Sequence, residues 1–328
     1  MADQFISLLD ITARRNTDQA VGLVEEVVTY APEIEKVMGR VIPGNSYLAK
    51  VRTALPTGGA FRKANVGSAI SASRYVQKRF DCFIFDAQLQ VDQASALMAN
   101  QQGDSLASLQ ADEAAGALRQ KAIALGTQFY TGLQDDPNGG FPGLTNFVNT
   151  AQVVDAGGSA VGACEVAWFI WMHPQGVHFL FGGNSGIDIA PWSLQQVKDA
   201  NNLSLMAYVS NLMGLIGLSC AHVRAVGAVK NIDNTISGGN YTKPITDKMI
   251  AQVEASFPVG IAPNLCFMSR ASRAGLQASR TVTLYGNVGA NRPDFNNISA
   301  IAPLPATTGS GIPIIPTDSI IAANANPF

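Results

Sequence analysis

The chain has 328 residues, 47% of them hydrophobic, enough to bury the core of one large domain or two medium ones. Only 14% are Asp, Glu, Lys or Arg, against roughly 25% in typical soluble domains. Charge is depleted where interfaces are buried, so much of this surface is expected to meet other protein, and the formal net charge of −2 argues against a dedicated nucleic-acid binder.

The N-terminus "MADQFISLLDITARR" has no basic stretch ahead of an apolar run, so it does not read as a secretory signal, and production in a cytosol is expected. Phe5, Leu8, Leu9, Leu23, Val24, Val27 and Val28 recur at helical spacing, which makes residues 1 to about 40 an arm whose apolar stripe needs a partner. The turn-forming "IPGNS" at 42–46 ends it. The next stretch, "VRTALPTGGAFRKANVGSAISASRYVQKRF" at 51–80, holds Arg52, Arg62, Lys63, Arg74, Lys78 and Arg79 without one acid. Its glycines at 58, 59 and 67 and its short alternating runs predict a long two-stranded excursion. A solitary hairpin is marginal in water, and its uncompensated cations repel one another. The excursion is therefore expected to lie against acidic groups, with Glu25, Glu26, Glu33, Glu35, Asp104, Asp112, Glu113, Asp135 and Asp136 as candidates, on a neighbouring copy. A solvated loop or a nucleic-acid contact is the competing reading, and the sparse aromatic residues for base stacking weigh against the latter.

From about 91 to 132 the chain is rich in Ala, Leu and Gln. Leu106, Leu109, Leu118, Leu125 and Phe129 form a helical stripe, predicting a helix over about 104–131. At 1.5 Å per residue it would be on the order of 40 Å long, and Gly132 with "DDPNGGFPG" stops it. Beyond 150 the chain turns β-rich, with "EVAWFIWM", "VHFLFGG" and "HVRAVGAVKNID" as strands. Helices are expected at 246–257, opened by Thr246 as N-cap, and at 263–279, before a last strand in "GIPIIPTDSIIAANANPF". The uncharged window at 203–223 is long enough for a bilayer helix. Ser204, Ser210, Asn211, Ser219 and His222 interrupt it, and it lacks an aromatic belt at both ends, so no membrane is assigned as a partner.

"WFIWMHPQGVHFLF" at 168–181 places two tryptophans beside His173 and His178. Pro-Gln-Gly is turn chemistry, so the segment is expected to form a β-hairpin across which the imidazoles need not converge. A metal-dependent hydrolase using His173, His178 and Asp188, with Cys164 and Glu165 as further recruits, is the competing reading, since zinc wants three or four ligands. His222 reads as a hydrogen-bonded core histidine. Trp168 and Trp171 pose a separate question: a tryptophan that does not point into the core is expected against another subunit. Cys82, Cys164, Cys220 and Cys266 stand far apart and read as small buried hydrophobes. No GxSxG, Walker, HExxH or strand-borne GxGxxG pattern occurs, so no catalytic residue, cofactor or metal is assigned.

The order of arm, basic excursion, long helix, β-rich body and helix-bearing segment resembles that of the major capsid proteins of tailed double-stranded DNA phages. The segments that carry the resemblance are "VRTALPTGGAFRKANVG", "WFIWMHPQGVHFLF", "AYVSNLMGLIGLSCAHVRAVGAVKNID", "CFMSRASRAGLQAS" and "GIPIIPTDSI", spread over about residues 51–320. The resemblance implies an α+β, Hong Kong 97-like fold: an N-arm over 1–45, an E-loop over 46–90, a P domain over 91–235 and an A domain with C-terminal strand over 236–328. Within the P domain it implies a spine helix over about 104–131 and a β-rich part over 160–235. "CFMSRASRAGLQAS" follows "HVRAVGAVKNID", where the commoner order is the reverse, so the connectivity is expected to be rearranged.

The implied function is structural: many copies, as pentamers and hexamers, self-assemble into the icosahedral shell enclosing the phage genome, with no enzymatic activity. The implied partners are a portal, scaffolding or cement proteins, and packaged DNA by non-specific contact only. The implied location is the virion, after synthesis in the host cytoplasm. The E-loop of such proteins lies across an adjacent subunit, which makes Arg52, Arg62, Lys63, Arg74, Lys78 and Arg79 inter-subunit contact candidates. Some relatives cross-link an E-loop lysine to a distant asparagine; Lys63, the only lysine within 51–77, and the asparagines of "NVGANRPDFNN" at 287–297 are the candidates for such a link, and no bond is assigned. The shell of a cellular nanocompartment with the same fold is the alternative.

Overall fold

The computed structural model describes residues 29–57, 61–67, 71–101, 105–183, 186–199, 201–238, 240–280, 282–284, 298–300 and 303–322. The apolar stripe expected in the arm and the asparagines at 287–297 lie outside them. A single helical turn, α1 (Glu33–Lys36), follows Pro32 and leads into β1 (Gly39–Val41). The basic excursion is a two-stranded antiparallel ribbon, β2 (Ser46–Ala54) and β3 (Arg74–Asp81), and β4 (Phe83–Asp92) continues from it.

Asp92 caps the next helix, α2 (Gln93–Gln101), by accepting from the backbone N–H and the hydroxyl of Ser95, both at 3.1 Å. The predicted long helix is α3 (Leu106–Thr131), whose N-cap Ser105 accepts from the Ser108 N–H at 3.1 Å and which ends at Gly132. Its stripe holds only at the two ends: Leu109, Leu125, Phe129 and Tyr130 are buried, whereas no residue from Gln110 to Ala124 is, and Leu118 is exposed. The middle of the helix is thus only partly covered, while its two ends are anchored in the core.

The β-rich body contains β5 (Val153–Asp155), β6 (Cys164–Ile170), β7 (Val177–Phe181), β8 (Asp188–Ile189) and β9 (Ser193–Lys198). The two longest strands follow, β10 (Ser204–Cys220) and β11 (Val226–Ser237), then β12 (Asn240–Lys243). Thr246 caps α4 (Asp247–Ser256) as predicted, accepting from the Met249 N–H. The segment 263–279 is helical only in its second half. Leu265–Met268 is a strand, β13, and Ser269 then caps α5 (Arg270–Ser279). Four consecutive buried residues, Leu265 to Met268, suit a strand covered on both faces. A small pair, β14 (Val282–Leu284) and β15 (Ile298–Ala300), precedes the last strand, β16 (Ile314–Pro316).

Two six-stranded sheets organise these elements. The first runs β1-β7-β10-β4, with β8 and β9 also paired to β10, and the second runs β12-β11-β6-β13-β16, with β5 on β11. The uncharged window at 203–223 is therefore mostly a strand of 17 residues, and no described helix is long and apolar enough to cross a membrane. An aromatic cluster joins the long helix to both sheets: Phe129 lies 5.2 Å from Phe179 of the first sheet, and Tyr130 stacks at 6.2 Å on Trp168 of the second. On the other face of β6, Ala167 and Phe169 pack with Val229, Ile250, Val253 and Leu276 beneath α4 and α5. The expected boundary at 235 falls inside β11, whose sheet also holds β13 and β16.

"WFIWMHPQGVHFLF" is not a hairpin. The turn forms as its chemistry dictates, with the Gly176 N–H donating to the His173 carbonyl at 2.8 Å, but β6 pairs with β11 and β13 while β7 pairs with β1 and β10. The segment is a crossover between the sheets. A Cβ at Gly176 would stand 2.3 Å from the Trp171 carbonyl oxygen, so only glycine fits this corner. Trp168 is buried on the same face as Ile170, while Trp171, beyond the end of β6, is half-buried at the edge of that core.

Candidate inter-subunit surface

The β2–β3 ribbon is anchored at its base and free beyond it. Ala49 and Phe80 are buried with Ile42, Leu180 and Ala221, and the Cys82 N–H closes the base by donating to the Asn45 carbonyl at 2.7 Å. From Arg52 outward to Gln77 every described residue except Ser73 is exposed. The outer end also carries Leu55, Phe61 and Val66, all exposed, with Phe61 fully so. Large apolar residues exposed on one ribbon are costly in water unless something covers them. These three were not singled out from the sequence; the signal available was large apolar residues inside a Gly-rich, acid-free loop.

The six basic candidates separate into two groups. At the base, the Lys78 ammonium donates to the Ala221 carbonyl at 3.0 Å, and Arg79 pairs with Asp81 at 2.7 Å. Farther out, the Arg52 guanidinium lies 5.4 Å from the Tyr75 ring centroid and donates to its hydroxyl at 3.2 Å, while the Lys50 ammonium lies 4.6 Å from the same centroid. The bond from Arg52, then one from Ser73, holds the Tyr75 phenol below its ordinary value. Arg62 donates to the Val66 carbonyl at 2.8 Å and shapes the tip. Lys63 and Arg74 form no ion pair with any described residue. Lys78 and Arg79 are thus engaged at the base of the ribbon, while Arg52, Arg62, Lys63 and Arg74 stand on its exposed outer part.

Among the acids proposed to receive them, Glu33 is excluded, since it is completely buried. Glu35 pairs with Lys36 at 2.5 Å, and Glu25, Glu26 and Asp104 lie outside the described residues. Asp112 and Glu113 are half-buried on α3. Asp135 and Asp136 stand on the loop after α3, Asp136 accepting from the Gln128 side chain at 3.0 Å. This loop, α3 and β4 enclose a groove of about 310 Å³ lined by Phe83, Phe85, Lys121, Leu125, Asp136 and Phe141, among others, with Asp86 at its edge. A second groove of about 300 Å³ holds Asp135, Pro142 and Phe147. On the outward face of the first sheet, exposed Met213 pairs in register with Asp86, beside exposed Ile84.

The histidine candidates are not brought together. His178 is completely buried in β7, and His173 lies exposed on the turn, where its Nδ1 accepts from the Gln175 N–H at 3.2 Å and its ring stacks on Trp171 with centroids 4.6 Å apart. Along β10, His178 pairs with Ser219 and Asp188 with Met213, six residues apart, on the order of 20 Å at strand spacing. No cluster of three or more His, Cys, Asp or Glu suited to a metal occurs among the described residues. His222 is not a core histidine. It is half-buried in the turn between β10 and β11, its Nδ1 accepting from the Arg224 N–H at 3.0 Å, and burial, with Lys78 and Arg224 nearby, lowers its affinity for a proton. All four cysteines are free and buried.

The major capsid protein GP7 family matches residues 33–326. A structure of bacteriophage Epsilon15 aligns with 99% of this chain and 98% of its own at a TM-score of 0.65 and 18% identity, which establishes the shared Hong Kong 97-like fold. A structure from Mycobacterium phage Bobi covers 68% of this chain and 98% of its own at a TM-score of 0.48 and 11% identity. The SrpI encapsulin complex of Synechococcus elongatus covers 70% and 97% at 0.46 and 10%. No curated protein matches the sequence.

Proposed function

The chain belongs to the major capsid protein GP7 family, a structural component of the virion whose copies assemble into an icosahedral shell, and on that premise we propose that the β2–β3 ribbon is the device that joins neighbouring copies. Arg52, Arg62, Lys63 and Arg74, with Leu55, Phe61 and Val66, lie across the adjacent subunit. There the cations meet Asp86, Asp135 and Asp136, and the apolar tip enters the groove between α3 and β4. The observation that carries this reading is the ribbon itself, exposed from Arg52 outward and rich in cations and apolar groups that the other described residues leave uncovered. A charge-poor surface is consistent with a molecule that has neighbours on most sides. Lys78 and Arg79 serve in this arrangement to fix the base.

The residues preceding the ribbon act as the arm, and the ribbon over 46–81 as the E-loop. The sheet around β10 with α3 acts as the P domain, and the sheet around β11 with α4 and α5 as the A domain. The copies group as pentamers and hexamers, are made in the host cytoplasm, and meet a portal, scaffolding or cement proteins, and DNA by non-specific contact. The decisive experiment reverses charge at the outer ribbon, Arg62→Glu with Lys63→Glu and Arg74→Glu. The variant should keep subunit secondary structure by circular dichroism yet fail to form closed shells by electron microscopy, and Asp135→Lys with Asp136→Lys should partly restore them. Normal shells from the triple variant would refute the reading. Nucleic acid extracted from the particles, rather than a packaged protein cargo, distinguishes a virion shell from a nanocompartment.

A further inference from the structure

Glu33 sits where three elements distant in sequence converge. The Tyr130 hydroxyl of α3 donates to its Oε1 at 2.9 Å, and just past β16 the Thr317 hydroxyl donates to Oε1 at 2.5 Å and the Ser319 hydroxyl to Oε2 at 3.3 Å. Gly126 makes the room: a Cβ there would stand 2.2 Å from the Ser319 hydroxyl and 2.8 Å from Glu33 Oε2. The same junction is closed by backbone bonds, with the Asp318 N–H donating to the Tyr30 carbonyl at 2.9 Å and the Tyr30 N–H to the Asp318 carboxylate at 2.8 Å. Residues 30–33 are thereby tied at once to the long helix and to the C-terminal segment.

Several charged and titratable groups among the described residues surround the junction. From the C-terminal segment comes Asp318, engaged by Arg270 of α5 at 3.0 Å, and from α3 comes Tyr130, with the Cys266 thiol of β13 beyond it. On α1, Glu35 and Lys36 pair with each other at the surface. The Glu33 carboxyl is thus met by neutral hydroxyls, and no Lys, Arg or His among the described residues bonds to it. Removing a carboxylate from water without a counter-charge favours its protonated form. Burial accordingly raises the Glu33 carboxyl above its ordinary value, with the hydroxyl bonds opposing only in part.

We propose that Glu33 makes the docking of residues 29–38 onto the long helix and the C-terminal strand proton-linked, so that the root of the arm takes up a proton as it docks and is released more readily as pH rises. The sign follows from linkage: a carboxyl whose docked pKa is raised contributes fully below its undocked value, and that contribution fades as pH climbs through the docked one. The contacts lie within one chain, so the proposal stands or falls independently of the ribbon's docking across subunits.

Hydrogen–deuterium exchange on the assembled full chain tests it, following peptides over 29–38 and 314–322 between about pH 5 and about pH 8 with intrinsic exchange corrected. Protection should fall by up to about tenfold per pH unit between the undocked and docked values of the carboxyl, the limit for one linked proton, and level off above the docked one. It should be flat in Glu33→Gln, which keeps shape and hydrogen-bonding capacity without titrating. A flat wild-type profile, or the same slope in both proteins, would overturn the proposal. If Glu33→Gln fails to fold, isotope-edited infrared spectroscopy of carboxyl-labelled glutamate in the wild type decides the matter. A carboxylic-acid band that persists after exposed glutamates have ionised supports it, and loss of the band together with theirs overturns it.

Discussion

Acid should loosen the base of the ribbon through His178. Its imidazole is completely buried, the edge-on Tyr47 ring of β2 lies 6.0 Å away, and among the described residues neither ring nitrogen nor the Ser219 hydroxyl opposite it has a hydrogen-bond partner. Burial first, then the nearby Arg40 cation, pushes its pKa down to about 4, against the weaker opposing pull of the His173 and Gly176 backbone. For a base with a depressed folded-state pKa, the unfolded chain binds the proton first, so stability falls as pH drops from about 6.5 to about 4 and no further below that. At about 1.36 kcal/mol per pH unit, that window makes the loss about 3 kcal/mol. The assay is equilibrium urea unfolding of the dissociated subunit at several pH values across that window, for wild type and His178→Leu. The difference between the two curves isolates this residue from the carboxylates, and wild type should lose up to about 3 kcal/mol more than the variant. Parallel curves would refute the reasoning, as would a His178 titration midpoint near 6.5 measured by imidazole C2–H exchange.

Phe129 contacts Phe179, Tyr130 and Phe267 with no exposed surface, so Phe129→Ala should cost about 3–5 kcal/mol in subunit unfolding. Phe61→Ser, at a fully exposed position, should change subunit stability by no more than about 0.5 kcal/mol yet lower the yield of closed shells in a sedimentation assay. The thiols should resist alkylation at about pH 8 until the protein is unfolded. Burial pushes Cys82 up to about 11 and Cys220 up to about 12, and raises Cys266 further; rapid labelling of any of these three in the native state would contradict this. Gly126→Ala should break the Glu33 junction, and faster exchange of residues 29–38 with the rest of the chain unchanged is its signature.

Much of the fold was legible because it depends on neighbours in sequence. The N-cap Thr246, the helix stop at Gly132 and the Pro-Gln-Gly turn each rest on a few adjacent residues. The ribbon was visible from charge, since six cations without an acid cannot sit together in a core. The long strand β10 was not, because buried residues on both of its faces leave a continuous apolar run that periodicity cannot separate from a helix. The same ambiguity hid β13 within the segment at 263–279.

By itself, then, the sequence determined the long helix, the basic ribbon, the scarcity of charge and the order of segments that points to a shell protein. Local conformational preference and composition are written residue by residue. Only the tertiary structure decided that β6 and β7 enter different sheets, that His178 is sealed while His173 is exposed, and that Glu33 is enclosed by Tyr130, Thr317 and Ser319. Strand pairing and burial of a polar group are set by partners up to 286 positions away along the chain, and no window of sequence contains both sides of such a contact.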